Sequence, residues 1–213
     1  MFIGGEKMVA FNFRFMDTDV YVKWTFLALM GFFLFLTGSP VLIAILLISL
    51  FGHEMSHILV GRYYGRDTHR MDLWILGAVA YMKNTPLSDA KEFWIFFAGP
   101  MYNFILAGAA ALLHVVGGEI PMVDSVLHLF IQINLILGIF NLMPAYPMDG
   151  GRILKSILGM MGVSERKKKN ITHYVGYGMA VLFAIAGLFA PSPILVMIGA
   201  FVAFHIWQER KSL

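Results

Sequence analysis

The stretch WTFLALMGFFLFLTGSPVLIAILLISLFGHEMSH, residues 24–57, decides how this chain of 213 residues folds. Its first 29 residues, Trp24–Gly52, carry no charged side chain and are interrupted by the turn sequence Gly38-Ser39-Pro40. This pattern predicts two consecutive apolar helices, about Trp24–Thr37 and about Pro40–Gly61. A helix needs about 20 residues to cross the hydrocarbon of a bilayer, so the first of the two is short for a span.

The composition of the whole chain also indicates a membrane protein. Hydrophobic residues make up 59% of it and charged residues 14%, whereas soluble globular proteins have about 45–50% and about 25%. A soluble monomer of this size could not bury so much apolar surface and is excluded. The chain has no cysteine, which excludes disulfides, thiolate zinc ligands and cysteine nucleophiles. Charges are spread through the first 23 residues, so we expect no cleaved signal peptide.

Four more spans are predicted from the remaining apolar runs, at about residues 93–116, 123–143, 173–189 and 194–207. All 16 lysine and arginine residues then fall on one side of the membrane. The positive-inside rule makes that side cytoplasmic and places both termini there. The predicted fold is therefore an all-α multi-pass protein of the cell membrane with about six transmembrane helices.

Two segments outside the spans have the character of β-strands. Residues Val9–Phe15 alternate apolar and polar side chains with a period of two. Residues Met71–Met82 are apolar but too few to span, and Gly77 interrupts them. We expect both to form short membrane-associated strands on the cytoplasmic side.

The most informative residues for chemistry are His53-Glu54-Met55-Ser56-His57, inside the second predicted span. Positions i and i+4 share one face of a helix, so both imidazoles can bind one metal ion. Glu54 lies beside them, where it can take a proton from metal-bound water without being a ligand. A carboxylate in the middle of a span costs about 2.5–3.5 kcal/mol on insertion scales, which argues against a chance pattern.

A catalytic zinc needs a third protein ligand and an open fourth position. Asp149 is a candidate, because Pro144 and Pro147 precede it and stop the fourth helix from continuing regularly. We expect Asp149 on a loop that dips into the protein from the cytoplasmic side. Spacing alone equally allows a turn carboxylate that pairs with Arg152, so both interpretations stay open.

Three segments in chain order resemble the motifs of the site-2 proteases, particularly the compact archaeal and bacterial type. They are His53–His57, Ala98-Gly-Pro-Met-Tyr-Asn103 and Phe140-Asn-Leu-Met-Pro-Ala-Tyr-Pro-Met-Asp-Gly-Gly-Arg152. The resemblance implies that one Zn²⁺ per chain is bound by His53, His57 and Asp149, and that Glu54 is the general base and acid.

The resemblance also implies a role for Asn141, which corresponds to a family asparagine that steadies the tetrahedral oxyanion or positions the substrate. An amide donor suits that role, because a preset hydrogen bond stabilises developing negative charge strongly in a dry site. Ordinary capping of the helix end is the alternative for this residue.

The function that the resemblance implies is that of an intramembrane zinc endopeptidase, which hydrolyses peptide bonds in or near transmembrane segments. Its expected partners are transmembrane proteins or peptides as substrates, the lipid bilayer and a regulatory membrane protein, with no nucleic acid. A substrate unwound to an extended form would add to the strand at Met71–Met82 by main-chain pairing. We expect one domain, residues 1–213, with a catalytic core at about residues 40–158 and no PDZ or other regulatory domain.

Two other functions use the same residues. A metal or proton transporter would need ionisable residues along several spans, whereas here they cluster at one depth. A non-catalytic zinc-binding scaffold would have no use for the carboxylate of Glu54.

Overall fold

A computed structural model describes residues 9–75, 77–83, 85–117 and 120–211. Residues 1–8 and both predicted cytoplasmic termini lie outside the described residues. In chain order the described elements are β1 (Val9–Phe15), β2 (Thr18–Lys23), α1 (Trp24–Thr37), α2 (Pro40–Tyr63), β3 (Thr68–Trp74), β4 (Gly77–Met82), α3 (Asp89–Val116), α4 (Pro121–Asn141), α5 (Asp149–Met160), α6 (Glu165–Phe189) and α7 (Pro193–Lys211).

The chain is mostly helical, as predicted, and six of the described helices lie at the positions of the six expected spans. Helix α1 begins and ends at the predicted residues. It ends there because Gly38 takes a left-handed conformation. Helix α2 then starts where Ser39 accepts a hydrogen bond from the Leu42 amide. Among the described residues, α2, α3, α4 and α6 are long and apolar enough to cross a membrane. Helix α1 has 14 residues, fewer than the about 20 that a span needs.

The expectation of a loop at Asp149 is wrong, since this residue is the first of helix α5. Two glycines, Gly150 and Gly151, follow it and weaken the intrinsic tendency to form a helix. Tertiary packing overrides that tendency: both glycines are buried, and a Cβ on Gly151 would lie 2.9 Å from the backbone of Ala145. The carboxylate at the first position also suits the positive end of the helix dipole.

The contacts within the chain define two compact units. The first, residues 1–86 with 101–136, contains a four-stranded sheet in the order β1-β2-β3-β4. The β1–β2 and β3–β4 pairs are antiparallel, and the β2–β3 pair is parallel.

The prediction for β1 is confirmed to the residue, but β2 was not predicted. The single strand expected at Met71–Met82 is two antiparallel strands, β3 and β4. Gly77, the first residue of β4 at φ 118°, takes a backbone conformation that other residues rarely adopt.

The sheet is fixed to the helix that carries the paired histidines. A buried apolar cluster joins strands β2 and β3 to helices α1 and α2, and consists of Val20, Val22, Phe26, Met55, Ile58, Met71 and Leu73. Full burial of one such side chain stabilises the fold by about 1.5–3 kcal/mol. At the end of α2, Arg62 binds the hydroxyl of Thr18 at 2.7 Å and the carbonyl of Thr68 at 3.2 Å.

The second unit, residues 87–100 with 137–213, is built around the packed pair α6 and α7. The loop that leads into α5 rests on this pair through a buried cluster of Ala145, Met148, Ala180, Val202 and Ile206. The buried ammonium of Lys168 binds Asp89 at 2.9 Å and Glu165 at 2.5 Å, which ties the start of α6 to the start of α3.

Candidate metal centre

His53 and His57 lie one turn apart on α2, and both are almost fully buried. Their Nε2 atoms are 3.2 Å apart. Two nitrogens bound to one tetrahedral zinc, each at about 2.0–2.1 Å, would be separated by about 3.3 Å. The two imidazoles therefore already have the separation that a shared zinc requires.

The second nitrogen of His53 is fixed by a buried asparagine. Its Nδ1 lies 2.5 Å from the Oδ1 of Asn103, a residue with no exposed surface. The amide nitrogen of Asn103 in turn donates to the Oδ1 of Asn134 at 2.9 Å and to the carbonyl of Ser49 at 3.4 Å. Because Oδ1 of Asn103 can only accept, Nδ1 of His53 carries the proton and its Nε2 presents a lone pair to a metal.

Sequence reasoning found Asn103 only as part of a motif and missed Asn134. The signal that points to both is a carboxamide inside a long apolar helix, where an unpartnered polar group is costly. Asn134 has no exposed surface, and its own amide donates to the carbonyl of Phe130 at 2.9 Å. The pair thus forms a satisfied chain of hydrogen bonds that ends on the imidazole of His53.

Helices α2 and α3 approach closely beside the histidines because Gly52 has no side chain. A Cβ at this position would overlap the phenol ring of Tyr102. Tyr102 directly precedes Asn103, so the glycine is what lets the Asn103 carboxamide come within reach of His53.

Asp149 is the third member of a group that could hold a metal ion. Within the described part of the chain, the ligand atoms of His53, His57 and Asp149 all lie within 4.8 Å of one another. Two neutral imidazoles and one carboxylate are a donor set that zinc uses at catalytic sites, where the remaining position stays open.

Glu54 and Asn141 are both half-buried. Glu54 directly follows His53 on α2, while Asn141 is the last residue of α4. The amide nitrogen of Asn141 donates one hydrogen to the carbonyl of Leu137 at 3.0 Å, one turn back in its own helix. The carboxamide has a second N–H to offer to another acceptor.

Comparison with known proteins gives the same family from the sequence and from the fold. Residues 41–122 and 115–183 match Peptidase family M50. The chain is 34% identical over 172 residues to a zinc metalloprotease of Methanocaldococcus jannaschii, a match that covers 80% of this chain and 50% of that protein. It is 30% identical over 123 residues to stage IV sporulation protein FB of Bacillus subtilis, covering 56% of this chain and 41% of that protein.

A solved structure of a site-2 protease from Methanocaldococcus jannaschii superposes with a TM-score of 0.66 at 30% identity. The superposition covers 93% of this chain and 95% of that one.

The fold and the site together define a membrane protein with an HExxH sequence inside an apolar helix, whose two buried histidines could hold a metal ion. The family match extends over more than half of the residues, and the chain belongs to Peptidase family M50. The resemblance to the site-2 proteases is thereby confirmed. The chain spans about half the length of the curated relatives that it matches first.

Proposed function

We propose that this protein is an intramembrane zinc endopeptidase, which hydrolyses peptide bonds in or near transmembrane segments of other proteins. The observation that carries the proposal is the group of His53, His57 and Asp149 donors. The two histidines and Glu54 lie on helix α2, which is apolar and long enough to cross a membrane. The family membership and the relatives named zinc metalloproteases support it.

The residues present fit one zinc ion, because the donor set and the 3.2 Å separation of the two imidazole nitrogens suit tetrahedral coordination. His53, His57 and Asp149 would hold the ion. When bound, zinc supplies a Lewis acid that lowers the pKa of water toward about 7. Asn103 would keep the ring of His53 oriented and its Nε2 unprotonated.

Glu54 acts as the general base and then the general acid. Its carboxylate accepts a proton from the attacking water and passes it to the nitrogen of the leaving amine, so that the peptide bond breaks without releasing an unstable amide anion. The second N–H of Asn141 donates to the substrate carbonyl oxygen as negative charge develops on it.

The substrate must be extended rather than helical where it is cut, because a helix hides its carbonyls in hydrogen bonds. Strand β4 is an end strand of the described sheet, and an extended peptide could pair with its outer edge. Substrates with helix-breaking residues near the cut bond are therefore favoured.

The proposed topology has six spans, with α1 and α7 added to the four helices that are long and apolar enough, and with the basic connections and both termini in the cytoplasm. Residues 1–213 would form one protease domain with its core at about residues 40–158. The partners are transmembrane substrates, the bilayer and a regulatory membrane protein.

The test is metal dependence in purified protein. Wild type in detergent is incubated with a membrane-spanning peptide that contains helix-breaking residues, after treatment with a chelator and after zinc is added back. We expect cleavage that is lost with the chelator and restored by zinc, and no bound zinc in His53→Ala. Cleavage that persists in the zinc-free protein would refute the proposal, as would zinc transport into liposomes without cleavage.

A further inference from the structure

A cavity of about 160 Å³ lies within the second unit beside the start of α5. It is lined by Glu92, Phe96, Tyr146, Arg152 and Lys155. Two of these residues, Tyr146 and Arg152, are three positions before and after Asp149 in the sequence. The cavity therefore adjoins the segment that carries the third proposed metal ligand.

The two cations of the cavity are positioned for an anionic guest. The guanidinium of Arg152 lies 4.8 Å from the centre of the Phe96 ring. Stacking on a ring uses the flat face of a guanidinium and leaves the N–H edges to bind a carboxylate.

Lys155 is only loosely paired. Its Nζ is 3.7 Å from the exposed carboxylate of Glu165, which binds Lys168 more closely, at 2.5 Å. The ammonium of Lys155 is thus available for a second acceptor in the cavity.

The remaining polar groups of the lining leave an excess of donors. Burial raises the pKa of Tyr146 to about 12, with a contribution from Glu209, so its phenol keeps the proton at neutral pH and donates a hydrogen bond. Glu92 is the one carboxylate among the lining residues. Among the lining residues, two cations and a phenol O–H outnumber this carboxylate, and Glu165, 3.7 Å from Lys155, lies outside the lining. The lining therefore favours a guest with negative charge.

We propose that this cavity is a subsite for a carboxylate of the substrate, held by Arg152 and Lys155, so that cleavage favours membrane segments with an acidic residue close to the cut bond. The inference rests on the proposed function. Arg152 follows Asp149 by three residues of helix α5, a rise of about 4.5 Å, so a group bound by Arg152 belongs to a residue only a few positions from the bond that is cut. This short distance favours a side chain of the substrate over a lipid headgroup as the occupant.

The experiment uses two series of membrane-spanning peptides with a central pair of helix-breaking residues. The series differ only in Asp or Asn at each position within four residues of that pair. Binding is measured with zinc-loaded Glu54→Gln, which would hold the peptides without cutting them, and kcat/KM is measured with wild type. Both are run in nanodiscs of phosphatidylcholine, and then with phosphatidylglycerol added.

We expect the best Asp peptide to bind and to be cleaved about tenfold better than its Asn partner. This factor is at the low end for a charge-assisted hydrogen bond, because Arg152 is exposed and solvent screens its charge. Lys155→Gln and Arg152→Gln should remove the preference, mainly through KM, so that the Asp and Asn peptides are cleaved equally. Lys167→Gln, which removes an exposed charge from α6, should keep it.

Equal cleavage of the two series by wild type would overturn the subsite and leave the protease proposal standing. An Asp preference in binding, lost in Lys155→Gln, with no cleavage of any peptide would support the subsite and overturn the protease. If phosphatidylglycerol competes with both series equally in wild type and not in Lys155→Gln, the guest is a lipid headgroup and the proposal is wrong.

Discussion

Replacing Asn103 by leucine should weaken zinc binding without removing a ligand. The substitution keeps the approximate volume of the side chain but deletes the acceptor 2.5 Å from Nδ1 of His53. The Nδ1–H group is then buried without a partner, which costs about 1–3 kcal/mol. The ring can relieve this cost by rotating or by moving its proton to Nε2, and either change competes with metal binding.

The expected loss in zinc affinity is about 10–100-fold, as for other residues that orient a metal-bound histidine. The measurement is competition for zinc against a chromophoric chelator of known affinity. Zinc at saturation should still bind one per chain, because His53, His57 and Asp149 are all present.

Two controls separate orientation of the ligand from a general loss of structure. The zinc-free proteins are compared by thermal unfolding, and Asn103→Asp, which keeps an acceptor for His53, should recover part of the affinity. Two results would refute the claim that Asn103 orients His53 for zinc. One is a zinc affinity of Asn103→Leu within twofold of wild type, and the other is an Asn103→Asp affinity no higher than that of the leucine variant.

Further predictions concern Gly52, the buried Asp72 and the metal itself. Gly52→Ala should lower the free energy of unfolding by about 1–3 kcal/mol, since the new Cβ overlaps the ring of Tyr102, and adding Tyr102→Ala should recover part of the loss in the same unfolding assay. Burial raises the pKa of Asp72, but hydrogen bonds from Arg70 and Lys23 outweigh it and hold the pKa below its ordinary value of 3.8. The ionised carboxylate therefore stabilises the sheet above pH 3.8, and this stabilisation is lost as the pH falls below 3.8 through the lowered pKa. Asp72→Asn should lack this acid dependence. Its free energy of unfolding at pH 7 should be lower by about 3 kcal/mol, the low end for a buried pair because Arg70 is partly exposed. Zinc at 1,000 times its Kd should raise the stability of the folded protein by about 4 kcal/mol, and a Tm unchanged by zinc would contradict the proposed site.

The long apolar elements were predictable because their boundaries are local. Helix α1 is preceded by Lys23 and followed by the turn at Gly38, so both of its ends could be read from adjacent residues. In strand β1, apolar and polar side chains alternate with a period of two. The pairing of His53 with His57 could be predicted from the i, i+4 spacing on a helix alone.

The elements that were missed depend on contacts distant in the sequence. Strand β2 is short and mixed in polarity, and it forms its parallel pairs with a strand about fifty residues further on, such as Val20 with Met71. Helix α5 has two glycines directly after its first residue, and only packing can compensate for their weak tendency to form a helix. No local sequence pattern predicts either element.

The buried chain from Asn134 through Asn103 to His53 was also beyond local reasoning. Its two links join residues 31 and 50 positions apart. The sequence could indicate that each carboxamide lies in an apolar helix and needs a partner, but not which partner it has.

The most direct test of the central claim compares wild type with Glu54→Gln, each assayed for bound zinc and for cleavage of the same membrane-spanning peptide. The substitution removes the proposed proton acceptor while leaving His53, His57 and Asp149 in place. We predict one zinc per chain in both proteins, cleavage by wild type, and a loss of at least 100-fold in the variant, the lower range for removal of a general base. Equal cleavage by two proteins that hold equal zinc would contradict the account.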